Sequence, residues 1–180
     1  MFIIYALPIG ILVGLIAGGR PSGLGALQFR WAWVAIVGFV SQLVLFSGPV
    51  SERIGAAGPP IYVASTALVL AAVVANVRTP GMVLVALGAA SNLAAIVANG
   101  GYMPASPTAV AAIGSKAIVA YSNTAILEHP ALEPLTDVIA MPGWLPFSNI
   151  VSVGDLLIGL GIVVVIAVAM RSPRIEAAPA

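Results

Sequence analysis

Residues 150–170 read IVSVGDLLIGLGIVVVIAVAM, and this stretch decides the fold class. It holds one charged side chain, Asp155, among aliphatic residues and glycines. About 20 mostly apolar residues are enough for a helix to cross the hydrocarbon core of a bilayer. A span surrounded by lipid must satisfy its own backbone hydrogen bonds, so we expect a transmembrane helix here.

The same composition recurs in four other blocks of the chain. Hydrophobic residues make up 61% of the 180 residues and charged residues only 7%, whereas soluble domains average about 25% charged. We therefore expect an all-α integral membrane protein, with a single five-helix membrane domain over residues 1–174 and a disordered tail over 175–180. The predicted spans are TM1 (2–17), TM2 (31–46), TM3 (60–77), TM4 (81–99) and TM5 (150–170).

Basic residues are distributed unevenly between the connections. Arg53 and Lys116 fall on one side of a five-span bundle, and five arginines fall on the other. By the positive-inside rule, the arginine-rich side is cytoplasmic, which places the N-terminus outside and the C-terminus inside. The five arginines are Arg20, Arg30, Arg78, Arg171 and Arg174.

The connection between TM4 and TM5, residues 100–149, is much longer than the others. We expect it to lie on the outer side and to be partly helical, with a short interfacial helix over Pro107–Tyr121. Loops of this length in compact domains are usually functional or disordered. The apolar content of this one favours an ordered lid over the outer end of the bundle.

Small residues recur at four-residue spacing in two of the predicted spans. Such ridges let helix backbones approach closely, so we expect them to be helix-packing faces. We expect the larger TM4 residues Met82, Val85, Leu93, Ile96 and Val97 to face lipid. The ridge residues are Gly10, Gly14 and Gly18 in TM1, and Ala86, Ala90, Ala94 and Ala98 in TM4.

A few polar side chains fall within or beside the spans, all toward the predicted outer leaflet. Carboxylates and amides at membrane depth are costly, so they are candidate ligand-binding groups. The hypothetical site comprises Asp155, Asn99, Asn92, Asn149, Gln42 and Ser152.

Structural roles could also explain these polar residues. Ser152 and Asp155 have the spacing of a capping box at the start of TM5. Asn92 and Asn99 could form interhelical hydrogen bonds, each worth about 0.6 kcal/mol.

Catalytic and metal chemistry are poorly supported by the composition. The chain has no cysteine and one histidine, His129, which excludes thiolate nucleophiles and multi-histidine metal sites. We expect Glu128, Glu133 and Asp137 to form a solvated acidic rim. We assign no catalytic residue, no metal ligand and no cofactor, and the net charge of +1 is too low for nucleic-acid binding.

One hydrolytic alternative stays open. The Gly154-Asp155 pair resembles part of the Gly-x-Gly-Asp element of intramembrane aspartyl proteases, although Ser152 replaces its first glycine. That chemistry needs a second carboxylate beside the first. Asp137 is the nearest candidate in the sequence, and the alternative fails if its side chain points into bulk water.

Three sequence elements resemble those of a bacterial polytopic membrane family classified as a domain of unknown function. Residues 99–104 read NGGYMP, residues 152–155 read SVGD, and residues 29–33 read FRWAW. The likeness covers most of the chain up to about Met170. It implies a multi-pass protein of the bacterial inner (cytoplasmic) membrane and implies no particular activity.

Two functional hypotheses follow from these observations. The first is a non-catalytic accessory or scaffold subunit of a bacterial membrane protein complex, which binds other membrane subunits through its small-residue ridges. The alternative is an outer-leaflet protein that binds or transports a small molecule or lipid through Asp155 and the membrane-depth amides. The lipid bilayer is an expected partner in both cases.

Overall fold

The computed structural model describes residues 3–113 and 124–171, and it is mostly helical. The predicted tail at 175–180, Arg174, and residues 114–121 of the expected interfacial helix lie outside the described residues. Each of the five apolar blocks contains one long helix. These are α1 (Ile3–Ile16), α2 (Ala32–Leu45), α4 (Gly58–Val74), α5 (Met82–Ala98) and α7 (Val153–Ala169), with the short helices α3 (Gly48–Ser51) and α6 (Pro107–Ile113) between them.

Short strand pairs order the connection between α5 and α7. Strand β1 (Met103–Pro104) pairs in parallel with β2 (Thr124–Ala125), and β3 (Ile139–Ala140) pairs antiparallel with β4 (Ile150–Val151). The first two residues of the predicted TM5 are therefore in a strand and not in the helix. The helix begins only after Ser152, whose extended backbone and side-chain cap set its first turn.

The long helices pack in the spatial order α2, α4, α5, α7, α1. Neighbours run antiparallel, except that α1 and α7 run parallel: Gly10 and Gly14 of α1 face Ile166 and Met170 near the end of α7. Residues from all five helices line one shared cleft. The helices are therefore arranged around this cleft, and buried apolar clusters such as Leu45, Tyr62, Ala95 and Ile96 pack between neighbouring helices.

Four glycines bring the backbones of α5 and α7 into contact. Gly81 and Gly88 lie seven residues apart, as do Gly154 and Gly161, so each pair lies on one helix face two turns apart. A Cβ atom added to Gly161 would lie 2.7 Å from the carbonyl oxygen of Gly81, and one added to Gly88 would lie 2.9 Å from the backbone nitrogen of Ile158. Only glycine permits so close an approach.

The predicted ridge on α1 contributes two such contacts. A Cβ on Gly10 would lie 3.0 Å from Ile166, and one on Gly14 would lie 3.1 Å from the terminal methyl of Met170. Gly18 has no atom within 4 Å of the position of a Cβ. It adopts a φ of 77° just after α1 ends, and this left-handed turn is the reason that a glycine is favoured there.

The faces of α5 differ in part from the expected ones. Ala90, Ala94 and Ala98 are exposed and Ala86 is half-buried, so this ridge lies largely on the outer surface of the bundle. The expectation that Met82, Val85 and Ile96 face outward is wrong, because all three are buried. They pack toward the other helices and border the cleft.

Charged residues separate to the two ends of the bundle. The arginine end carries Arg20, Arg30, Arg78 and Arg171; there the backbone nitrogen of Arg20 donates to the carbonyl oxygen of Met170 at 2.7 Å. The acidic end comprises the N-terminus of α7 and the connection that precedes it. Its described charges are Glu52, Arg53, Glu128, Glu133, Asp137 and Asp155.

Among the described residues, one helical segment is long and apolar enough to cross a membrane. It is the 20-residue segment Gly55–Val74, which includes α4 and the turn before it. The helices α1, α2, α5 and α7 are apolar but shorter, at 14 to 17 residues.

We predict that Gly88→Ala destabilises the protein by about 1–3 kcal/mol, the usual cost of overpacking. The added methyl group would collide with the backbone of α7, which cannot move aside as a flexible side chain can. Thermal unfolding of the purified protein measures the effect. Gly25→Ala is the matched control, because Gly25 is exposed and has open space around its Cβ position. Equal midpoints for the two variants would contradict the proposed crossing.

Candidate functional site

The five long helices line a cleft of about 710 Å³. Its walls are mainly aliphatic and aromatic along its length. Polar groups concentrate toward the acidic end, and Arg30 and Asn76 border the arginine end. The polar lining residues of the acidic half are Gln42, Tyr62, Thr66, Asn92, Asp137, Asn149 and Asp155.

A smaller chamber of about 70 Å³ lies at the acidic end of the cleft. All of its lining residues except Met103 also line the cleft, so the two spaces adjoin. The chamber has room for a few water molecules. It is lined by Tyr62, Asn92, Ile96, Met103, Asp137 and Asp155.

Asp155 is held in a closed ring of hydrogen bonds at the start of α7. The hydroxyl of Ser152 accepts from the backbone nitrogen of Asp155 at 3.0 Å, and the backbone nitrogen of Ser152 donates to Asp155 Oδ2 at 3.2 Å. This is the capping box that the spacing predicted. Asn92 completes the ring: its Nδ2 donates to Asp155 Oδ1, and its Oδ1 accepts from the Ser152 hydroxyl, both at 2.8 Å.

Asp137 reaches the chamber because its backbone is paired to the segment that starts with β1. Its nitrogen donates to the carbonyl oxygen of Pro104, and its carbonyl oxygen accepts from the nitrogen of Ser106, both at 2.9 Å. The prediction of a solvated rim is therefore wrong for Asp137, which is half-buried and borders the chamber. Glu128 and Glu133 are exposed.

The surroundings of Asp137 favour its protonated form. Burial, and to a lesser extent the nearby carboxylate of Asp155, together raise the pKa of its carboxyl group to about 8. Both causes penalise a second negative charge in the chamber. Asp137 thus holds its proton at neutral pH, and its side chain does not point into bulk water.

The other residues predicted for the site differ in whether they border the cleft. Gln42 borders the cleft and its Nε2 donates to the hydroxyl of Thr66 at 3.2 Å; Asn149 also borders the cleft. Ser152 is fully buried within the capping box. Asn99 is absent from the cleft lining, because its amide forms two hydrogen bonds of 2.8 Å with the backbone of Ala131.

Sequence reasoning missed Tyr62 and Thr66 on α4 and did not assign Asp137 to the site. The two α4 residues lie four positions apart and so share a helix face. This spacing of two polar side chains in an apolar block is a sequence signal for the site. No comparable signal exists for Asp137, because its position depends on a backbone pairing across more than 30 residues. Within residues 3–113 and 124–171, no three histidine or acidic side chains group as metal ligands would.

These observations define a helical-bundle protein with an apolar cleft that ends in a chamber lined by two carboxyl groups. Residues 26–167 match the model of the Family of unknown function (DUF5317), and the chain belongs to this family. The match runs from just before α2 into α7 and leaves out α1. No curated protein and no solved structure matches the chain.

We predict that the protein loses stability as pH rises from about 4 to about 8. A carboxyl group of an unfolded chain ionises near pH 4, whereas that of folded Asp137 keeps its proton until about pH 8. Between these values the unfolded state gains stability from ionisation that the folded state lacks. The Asp137→Asn variant lacks this titration, so its stability should change less across the interval.

Unfolding midpoints measured at pH 5 and pH 8 for both proteins provide the test. Glu133→Gln is the control, because Glu133 is exposed in the same connection and should leave the pH dependence as in the wild type. Identical pH dependence in Asp137→Asn and wild type would contradict the burial of this carboxyl group.

Proposed function

We propose that the chain is a five-span protein of the bacterial inner membrane and that its cleft binds a single-chain amphiphile, meaning a lipid-like molecule with one apolar chain and one polar head. The observation that carries this proposal is the cleft itself. It offers about 710 Å³ of mainly apolar space with polar groups gathered at one end, and ligand sites generally combine apolar walls with a few placed polar groups.

The distribution of exposed apolar side chains supports a membrane location. Large hydrophobic side chains are exposed at eight of the 14 positions of α1 and at seven of the 14 positions of α2. Soluble monomers rarely expose continuous apolar patches larger than a few hundred Å². A bilayer around these helices would remove that surface from water.

Helix lengths and charges fit the same arrangement. The segment Gly55–Val74 is about 30 Å long at 1.5 Å per residue, the thickness of a hydrocarbon core. The shorter helices would reach a similar length together with the apolar turns that flank them. The arginine end would face the cytoplasm, with the N-terminus outside and the C-terminus inside, so the chamber would lie at the outer leaflet.

The hydrogen bonds of Asp155 fit a binding role. Asn92 donates to one of its carboxylate oxygens, and the backbone nitrogen of Ser152 donates to the other. Each oxygen keeps a further lone pair that can accept a hydrogen bond from a ligand. We propose a binding role and no catalytic role for the two carboxyl groups.

A second candidate function is that of an accessory subunit in a membrane protein complex. The observation in its favour is the α5 ridge, where Ala90, Ala94 and Ala98 are exposed on the outer surface. A stripe of small residues allows a second helix to approach closely. This surface is separate from the cleft lining, so the two functions can be tested independently.

Two tryptophan substitutions distinguish the two functions. Ala35→Trp places a large side chain in the cleft, which Ala35 lines from α2, so we expect it to displace the bound amphiphile. Ala90→Trp makes the same change on the exposed ridge and should leave the amphiphile bound. Each protein is purified from its native membrane, and the small molecules that it carries are quantified by mass spectrometry.

Loss of the bound molecule in Ala35→Trp, with retention in Ala90→Trp, is the expected result. If wild type and both variants carry no molecule above the level of bulk lipid, the binding proposal is wrong. Loss of a stoichiometric protein partner in Ala90→Trp alone would support the accessory-subunit function instead.

A further inference from the structure

We infer that the polar head of the bound amphiphile is a primary ammonium group, held in the chamber between Asp137 and Asp155. This inference rests on the proposed function and specifies its ligand. The geometric basis is a pair of carboxyl groups on separate elements, α7 and the connection before it, that border one small chamber at the end of an apolar cleft.

The charges around the chamber select for a cation. Among the residues that the structure describes, its lining contains two carboxyl groups and no basic side chain. The basic residue that borders the cleft, Arg30, lies at the opposite end, where its backbone forms hydrogen bonds of 2.8 and 2.7 Å with Asn76 of α4. A phosphate or carboxylate head in the chamber would be repelled by Asp155, whereas an ammonium group would be attracted.

Size and hydrogen bonding narrow the choice to a primary amine. A chamber of about 70 Å³ has room for a few water-sized groups, which suits an ammonium group better than a bulky trimethylated one. An ammonium group has three donors. Acceptors face it from two sides, because Asp155 borders the chamber from α7 and Asp137 borders it from the connection before α7.

Binding of the cation should release a proton from the chamber. Within residues 3–113 and 124–171, the carboxyl pair is faced by Tyr62 from α4, Asn92 and Ile96 from α5, and Met103 from β1, and of these only Tyr62 is titratable. Asp137 keeps its proton because burial and the nearby Asp155 together raise its pKa to about 8.

An ammonium ion beside Asp137 favours its carboxylate form, so binding and deprotonation are linked. The O–H bond of Asp137 breaks, its electron pair stays on the carboxylate, and the proton leaves to water. By linkage, affinity for the amine rises as pH increases toward about 8. The increase is at most tenfold per pH unit for release of one proton.

The test uses three photoreactive probes with the same 16-carbon chain, which end in a primary amine, a hydroxyl group or a monophosphate. The protein is reconstituted in lipid nanodiscs, and labelled peptides are identified by mass spectrometry at pH 6, 7 and 8. An alkylamine stays charged over this range, since amines of this kind have pKa values near 10. We expect the amine probe to label cleft peptides at a concentration about tenfold lower than the alcohol, and the phosphate to label them least.

Variants separate the roles of the two carboxyl groups. Asp155→Asn should remove the preference for the amine over the alcohol. Asp137→Asn should keep that preference and lose the rise in labelling between pH 6 and pH 8. Glu133→Gln is the control and should behave as the wild type, because Glu133 is exposed outside the chamber.

The outcomes show whether the ammonium inference fails alone or fails together with the proposed amphiphile site. Equal labelling by the three probes, all blocked by Ala35→Trp, would overturn the ammonium inference and leave the amphiphile site intact. Preference for the phosphate would also overturn it. Absence of cleft labelling by any probe would overturn both. The comparison of probes on the wild type needs no variant, so it remains decisive even if Asp155→Asn fails to fold after losing its capping box.

Discussion

The backbone crossing of α5 and α7 is the contact on which the rest of the structure depends. Gly88 and Gly154 face each other across it, and the side chain of Asn92 occupies the space that a Cβ on Gly154 would need. Because Gly154 has no side chain, the amide of Asn92 on α5 can reach the carboxylate of Asp155 on α7, at 2.8 Å. The crossing holds two helices together and also fixes one wall of the chamber.

The connection between these helices supplies the other wall. Asn99 at the end of α5 binds the backbone of Ala131, and the backbone of Asp137 pairs with Pro104 of β1. The hydroxyl of Tyr5 donates to the carbonyl oxygen of Pro146, which ties α1 to the same connection. The described parts of this connection are thereby fixed at the acidic end. They contribute Asp137 as a second carboxyl group beside Asp155 of α7.

The helical blocks and the capping box could be predicted from the sequence because both depend on local signals. A run of apolar residues predicts a helix wherever it lies, and Ser152 with Asp155 has the spacing that a capping box needs. The burial of Met82, Val85 and Ile96 was not predictable in the same way. In a protein expected to lie in lipid, large apolar residues suit both the outside and the inside of the bundle, so hydrophobicity does not separate the two faces. The place of Asp137 was missed because it is set by a pairing with a residue far away in the sequence.

We propose that the cleft between the five helices is a binding site and not a gap that a partner closes. A cryo-electron microscopy map of the protein in nanodiscs of its native lipids, with a bound antibody fragment to add mass, is the first measurement to make. We expect elongated density along the cleft that ends between Asp137 and Asp155. A cleft filled by a helix of another protein, or closed by α1 against α2 with no density inside, would contradict it.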